Sequence, residues 1–277
     1  MGDRDGGPTR SFRAVAILAS VGLGAACSGE GPLRLVYVAN EGILAGTDSS
    51  AVVIDALYDA PNPAYAAPSE AALEALIAGE DPFQSINLVL VTHNHPDHFA
   101  PAVVSRFLAA NPQARLVAPV DVVETLKGLP AWGSYEDRVI PLTLVVGESQ
   151  ELAVGGIRVK AVRTLHSGER DSPMNLMYLV QMDGWALFHD GDSNHLPETF
   201  RTAMDGAPPL DLAVVGDWFP TSGEGKLILD EILKSRFVGL GHRPLDPGAL
   251  TADSLAGLGD TYLVFEHPGE RWELPPS

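Results

Sequence analysis

The chain has 277 residues, of which 45% are hydrophobic and 19% charged, a composition that supports a packed core and excludes disorder for its bulk. A formal net charge of -18 sets the average surface against phosphate backbones and anionic headgroups, so nucleic acid is not a default partner. A bound cation could still draw an anionic substrate locally. With a single cysteine no internal disulfide can form, and stability must come from the core and from any metal.

At the start of the chain, Arg4, Arg10 and Arg13 precede an apolar run over residues 14–26 that is interrupted only by Ser20, Gly22 and Gly24. A bilayer span needs about 20 apolar residues, so 1–26 reads as a signal peptide. Cys27, after Leu23-Gly24-Ala25-Ala26, resembles the lipidated first residue of a bacterial lipoprotein. The expectation is therefore export to the cell envelope, membrane attachment through Cys27, and a single domain over 27–277.

Next in chain order, the β-branched runs 33–38 and 51–56 read as paired strands, with Gly42, Gly46 and polar residues 47–50 between them. A Pro-rich loop over 61–68 leads to Ser69, an N-cap for an Ala/Leu-rich helix that stops near Gly79. The continuous apolar run 86–91 is a strand buried on both faces. A helix over 100–110, a strand over 114–118 and a helix over 120–127 follow. Further strands are predicted over 142–146, 157–162, 176–181, 185–189 and 212–215. The chain then closes with a helix near 226–234, a strand over 237–240, and short elements around 250–258 and 263–266. Strand-rich halves with interspersed helices predict an α/β fold of two packed sheets covered by helices.

Directly after the 86–91 strand comes Val91-Thr92-His93-Asn94-His95-Pro96-Asp97-His98. In a near-extended loop His93 and His95 point the same way and can grip one ion, while Asp97 and His98 turn toward a second position. A capping loop with Asp97 as N-cap is the structural alternative. It leaves the crowding of four polar, titratable groups without a reason.

This HxHxDH run at the end of an apolar strand resembles the metallo-β-lactamase superfamily. The resemblance implies a four-layer αβ/βα sandwich with the metal site at the strand ends along one edge. It also implies three further ligands in chain order, each after an apolar strand: His166, Asp192 after Gly191, and His242 after Gly241. His93, His95 and His166 would hold one metal and Asp97, His98 and His242 the other, with Asp192 shared. Asp190 competes for the bridging role but suits the end of its strand better. His189 and His195 flank Asp192 as supporting residues or proton donors, or as plain polar residues. His267 is expected at the surface. Trp132, Trp185 and Trp218 read as packing residues, with Trp218-Phe219-Pro220 also able to line a pocket.

Two ions about 3.5–4 Å apart can share a water, lower its pKa and present hydroxide to an electrophilic centre, with Asp97 orienting the nucleophile. Histidine and carboxylate donors suit zinc, with iron or manganese as alternatives. In the resembling family, true β-lactamases carry Cys or Ser where this chain has Asp192, so antibiotic hydrolysis is disfavoured. An ester, lactone or phosphodiester of a small molecule is expected instead. The surroundings of His93 to His98 and Asn40-Glu41-Gly42 look most like the ascorbate-phosphate-lactonase branch. A metal-binding scaffold without turnover and a di-iron redox protein are the alternatives from other classes. Specificity is assigned to the loops 59–68 and 128–137.

Overall fold

The structure, a computed structural model, describes residues 31–59, 62–168, 170–246, 255 and 258–276. The expected leader and Cys27, and most of the segment near 250–258, lie outside the described residues.

Two seven-stranded mixed sheets pack face to face. The first contains β1 (Leu33–Ala39), β2 (Gly42–Gly46), β3 (Ala51–Ile54), β4 (Ile86–Leu90), β5 (Arg115–Pro119) and β6 (Val139–Leu142), with β14 (Arg271–Leu274) outside β1. The second runs in the order β13 (Tyr262–Val264), β12 (Phe237–Gly241), β11 (Leu212–Gly216), β10 (Trp185–His189), β9 (Arg170–Met182), β8 (Ile157–His166) and β7 (Ser149–Val154).

Side-chain alternation along each strand builds the layers. Leu35, Leu88, Leu90, Leu187, Leu212 and Val214 point between the sheets into one shared core. Their neighbours Val36 and Val89 turn outward instead, onto α1 (Glu70–Ala78), α2 (Pro101–Ala110) and α3 (Val120–Lys127). Ala213 and Val215 face α4 (Pro197–Met204) and the helix that begins as α5 (Gly223–Leu227) and continues as a π-helical stretch over Ile228–Leu233. Helices, sheet, sheet and helices make the expected four-layer sandwich. Ser69 caps α1 through its hydroxyl, which accepts from Ala72 N at 3.1 Å, and Gly79 ends the helix in the left-handed region, as its sequence predicts.

Several expectations need correction. The runs 33–38 and 51–56 do not pair with each other, because β2 lies between them and pairs with both. Its bounding glycines are not turn punctuation: a Cβ at Gly42 would sit 2.7 Å from the Asp55 carbonyl oxygen. The strand expected at 142–146 ends at Leu142, and Val145 and Val146 turn out into solvent as the chain crosses to the second sheet. Pro141 is tolerated because β6 is an edge strand. Beyond the expected elements, β14 closes the first sheet by pairing antiparallel with β1.

Strand direction fixes a pole. β3, β4, β5 and β6 are mutually parallel, as are β10, β11, β12 and β13. β8 and β10 are both antiparallel to β9, so β8 shares the direction of β10. The C-terminal ends of β4, β8, β10 and β12 deliver the histidine run, His166, the segment after His189 and His242 respectively. Residues 128–137, assigned above to specificity, precede the N-terminal end of β6 and so lie at the opposite pole.

Candidate metal centre

Beyond β4 the backbone leaves the sheet and folds into a tight turn, in which His98 N and Phe99 N both donate to His95 O, at 3.1 and 2.9 Å. That turn collects the ring nitrogens. His93, His95, His166 and Asp192 each bring a ligand atom to one place within 4.8 Å of the others, and Asp97, His98 and His242 do the same beside it. All seven predicted residues therefore converge, grouped as the resemblance implied.

The Asp192 carboxylate sits between the groups. Its Oδ2 lies 3.2 Å from His166 Nε2 and 3.7 Å from His93 Nε2, while its Oδ1 lies 3.4 Å from His98 Nε2 and 3.3 Å from His242 Nε2. Proton positions follow from the outer partners. The Thr92 hydroxyl donates to Asp55, so its oxygen accepts the Nδ1 proton of His93 at 2.9 Å. His98 Nδ1 donates to Asp55 Oδ2 at 2.9 Å, and His166 Nδ1 donates to the Ser167 carbonyl at 3.1 Å. His93 and His166 therefore aim an Nε2 lone pair at the Asp192 carboxylate, and His98 presents its Nε2 to the same group. Lone pairs facing a carboxylate in a buried space repel unless a cation stands between them, and His166 Nε2 and Asp192 Oδ1 have no hydrogen-bond partner. The donor set thus fits metal.

The local field shows how strongly the carboxylates at this centre call for positive charge. Burial acts to raise Asp192, but the facing His98 and His242 overcome it and hold the carboxyl well below its usual range. Burial opposes charge on His98, yet Asp192 and Asp55 push its imidazole up to about 9. His93 is driven well down by burial and by the neighbouring His98.

The scaffold includes residues that sequence reasoning missed. Asp55, closing β3, holds both Thr92 and His98. Asn40 Nδ2 donates to the Asp97 carbonyl at 3.3 Å, and Asn62 Nδ2 to Asp97 Oδ2 at 3.0 Å. Asn175 Oδ1 accepts from Asp192 N at 3.2 Å. Asp55 carries no local signal of its own, being a lone carboxylate after a β-branched run. The loop over 61–68 does reach the centre: Tyr65 lies against His242 with ring centroids 4.2 Å apart, and Leu245 N donates to Ala64 O at 2.8 Å.

His189 donates from Nε2 to the Glu41 carbonyl at 3.0 Å and accepts from Gly191 N at Nδ1 at 3.1 Å. Both ring nitrogens are engaged, so His189 braces the Asp192 loop against the β1–β2 turn. His195 accepts from Trp218 Nε1, and Trp218 stands edge-on to His242 at 5.2 Å. Asp190 is no second bridge. It is buried beside Glu41 with neither carboxylate oxygen partnered, and burial, with Asp192 adding, raises it well above its usual range. Trp132 and Trp185 pack into the cores, and His267 is exposed.

A family model described as the β-lactamase superfamily domain matches residues 51–265, spanning the strands that deliver all seven converging side chains. The chain belongs to the metallo-β-lactamase superfamily. This superfamily member is similar to a UPF0173 metal-dependent hydrolase of Methanoregula boonei, at 25% identity over 218 residues that cover 74% of this chain and 88% of the relative. It also shares its fold with a novel metallo hydrolase of Ignicoccus hospitalis, at 18% identity, with 88% of this chain and 98% of that one covered and a TM-score of 0.58. CmlA, a diiron β-hydroxylase from Streptomyces venezuelae, has the fold too, at 16% identity and a TM-score of 0.55, covering 89% of this chain and 54% of CmlA.

Proposed function

We propose that this superfamily member is a hydrolase that uses two divalent cations, zinc in the first instance, to cleave an ester, lactone or phosphodiester bond of a small molecule. The observation that supports it most is the Asp192 carboxylate, whose two oxygens face different histidine groups at 3.2–3.7 Å. When bound, such cations supply a water acidic enough to deprotonate near neutrality and positive charge for the oxygen of the breaking bond. The chain's own groups do the rest. Asp55 and the Ser167 carbonyl hold the imidazole tautomers of His98 and His166. Asp97, anchored through Oδ2 to Asn62, orients the attacking water and takes up its proton.

Asp192, where true β-lactamases of the superfamily carry Cys or Ser, argues for the lactonase-like branch over antibiotic hydrolysis. Because the donors are histidine and carboxylate only, iron would also be accommodated. Elemental analysis of the purified protein, with a panel of lactones, esters and phosphodiesters assayed with and without chelator, tests this reading. Two zinc or manganese equivalents per chain and chelator-sensitive hydrolysis are expected. Two irons with a visible absorption band point to redox chemistry instead, and metal-loaded protein inert on the whole panel points to a scaffold.

We further propose export and lipid attachment through Cys27, on the strength of the basic and apolar leader. Among the described residues, no helix is long and apolar enough to cross a membrane. Mass spectrometry of the mature N-terminus decides it: an acyl mass on Cys27 is expected, and its absence removes the anchor.

A further inference from the structure

His93, His98 and His166 are each aimed by a hydrogen bond at Nδ1. His242 is met by aromatic rings. Tyr65 lies 4.2 Å from it at 60°, and Trp218 stands edge-on at 5.2 Å and 86°, while the imidazole Nε2 faces Asp192 Oδ1 at 3.3 Å. Tilted and edge-on ring contacts hold more firmly than the area they bury, because ring edges and faces carry opposite partial charge.

The two rings have different foundations. The Trp218 indole lies over Gly216, at the end of β11, where a Cβ would stand 2.4 Å from the ring, and its Nε1 donates to His195. Tyr65 instead comes from a turn over 62–66 that folds on itself. Asn62 Oδ1 accepts from Ala64 N at 3.1 Å, and Asn62 O accepts from Tyr65 N at 3.0 Å. Pro63 sits between them and stiffens the turn by fixing φ. The turn is then fastened to its surroundings: the Tyr58 hydroxyl donates to Ala66 O at 2.8 Å, Leu245 N donates to Ala64 O at 2.8 Å, and Tyr65 pairs with Pro244.

What this turn grips is specific. Asn62 Nδ2 donates to Asp97 Oδ2 at 3.0 Å, and the Tyr65 ring lies against His242. Asp97 and His242 are two of the three side chains of one ligand group, and the third, His98, is held from the sheet by Asp55. The other group draws its support from different places: Thr92, just after β4, holds His93, and the Ser167 carbonyl, just after β8, holds His166. A single Asx-type turn therefore reaches one side of Asp192 through two contacts of different chemistry.

We infer that Asn62 and Tyr65 are positioning residues for the cation held by Asp97, His98 and His242, and that the 62–66 turn sets the affinity of that position without setting the affinity of the position at His93, His95 and His166. Asn62 fixes the Asp97 carboxylate through its amide. Tyr65 fixes the His242 imidazole through its ring, and the phenol hydroxyl takes no part. This deepens the two-cation reading above and rests on it.

The test titrates metal-free, full-length chain with cobalt(II), read by calorimetry and by visible absorption, so no substrate is needed. Two backgrounds separate the positions: His95→Ala leaves the Asp97, His98 and His242 position, and His242→Ala leaves the His93, His95 and His166 position. Outer partners of ligands govern affinity by about 10- to 100-fold, so Tyr65→Ala or Asn62→Ala should weaken cobalt about tenfold in the His95→Ala background and by less than about twofold in the His242→Ala background. Tyr65→Phe keeps the ring and should keep the affinity. Tyr65 is half-buried at the rim, so Tyr65→Ala should unfold at the temperature of its metal-free parent.

Equal weakening in both backgrounds, no weakening in His95→Ala, or Tyr65→Phe as weak as Tyr65→Ala overturns the inference while two-cation binding stands. Protein that fills both positions and hydrolyses nothing defeats hydrolysis and leaves the roles of Asn62 and Tyr65 to be decided by the same titrations. Wild-type chain that takes up fewer than two cobalt ions defeats the two-cation reading and this inference together, before any turn variant is compared.

Discussion

Asp55 Oδ2 accepts the Nδ1 proton of His98 at 2.9 Å and, at the same time, the hydroxyl proton of Thr92. Through that one oxygen the residue directly after β3 sets the tautomer of two histidines delivered by β4, His98 directly and His93 by way of Thr92. Outer partners of this kind commonly govern metal affinity as strongly as geometry does.

Asp55→Asn is therefore expected to weaken metal binding about 10- to 100-fold. Asparagine is the informative substitution because Asp55 has a φ of 48°, a left-handed conformation that Asn tolerates and Ala does not. Competition against a chromophoric chelator measures the change. Wild-type affinity in Asp55→Asn would mean that the histidines keep their tautomers without it.

Asp192 and His95 should differ in metal stoichiometry. Asp192 faces both groups of ligands, so Asp192→Ala is expected to lose both ions and essentially all hydrolysis. His95 belongs only to the group with His93 and His166, so His95→Ala should retain metal at Asp97, His98 and His242. Elemental analysis after desalting distinguishes the two, and full metal content in either variant contradicts the assignment.

Chelation should also destabilise the fold. Without cations the lone pairs of His93 and His166 face a carboxylate they cannot neutralise. A ligand present at 100 times its dissociation constant contributes about 2.7 kcal/mol, so a chelator should lower Tm by several degrees. Calorimetry with and without EDTA reads this, and an unmoved transition would show that metal is not linked to folding.

The part of the centre legible from residues alone is the part whose meaning is local: His93 to His98 crowd directly after an apolar strand. His166, Asp192 and His242 became legible only through the family resemblance that this run carries. Asp55 and Glu41 were illegible because each is a lone carboxylate beside an apolar run. Their roles arise only when the sheet order sets β3 against β4 and the β1–β2 turn against β10. The same holds for the fold. β14 reads as a tail because its partner β1 lies at the other end of the chain, and α4 went unpredicted because it buries only Phe200 and Ala203.

Gly191 should not tolerate a side chain. Its φ is 55°, and a Cβ there would stand 2.8 Å from both the Asn175 side-chain oxygen and Thr92 Cβ. Asn175 holds Asp192 N, and Thr92 holds His93, so the clash would push on two ligands at once. Gly191→Ala is expected to cost about 1–3 kcal/mol of stability and to reduce metal occupancy. Thermal unfolding and metal content should fall together; a stable Gly191→Ala protein with full metal would show that the loop shifts freely.

Glu41 and Asp190 supply the opposite case, a pair whose neutralisation should help. Both are completely buried, their carboxylates approach within 4.8 Å, and none of their four oxygens has a hydrogen-bond partner. Burial raises both well above the usual carboxylate range, and Asp190 and Asp192 raise Glu41 further. Two like charges out of water are costly, whereas an amide of the same shape can donate to its neighbour. Glu41→Gln is therefore expected to stabilise the metal-loaded protein by about 1 kcal/mol, and Glu41→Ala to destabilise it by leaving a cavity beside an unpaired Asp190. If Glu41→Gln unfolds earlier than the wild type, the Glu41 charge must be needed where it lies, as part of the balance that holds the cations in front of it.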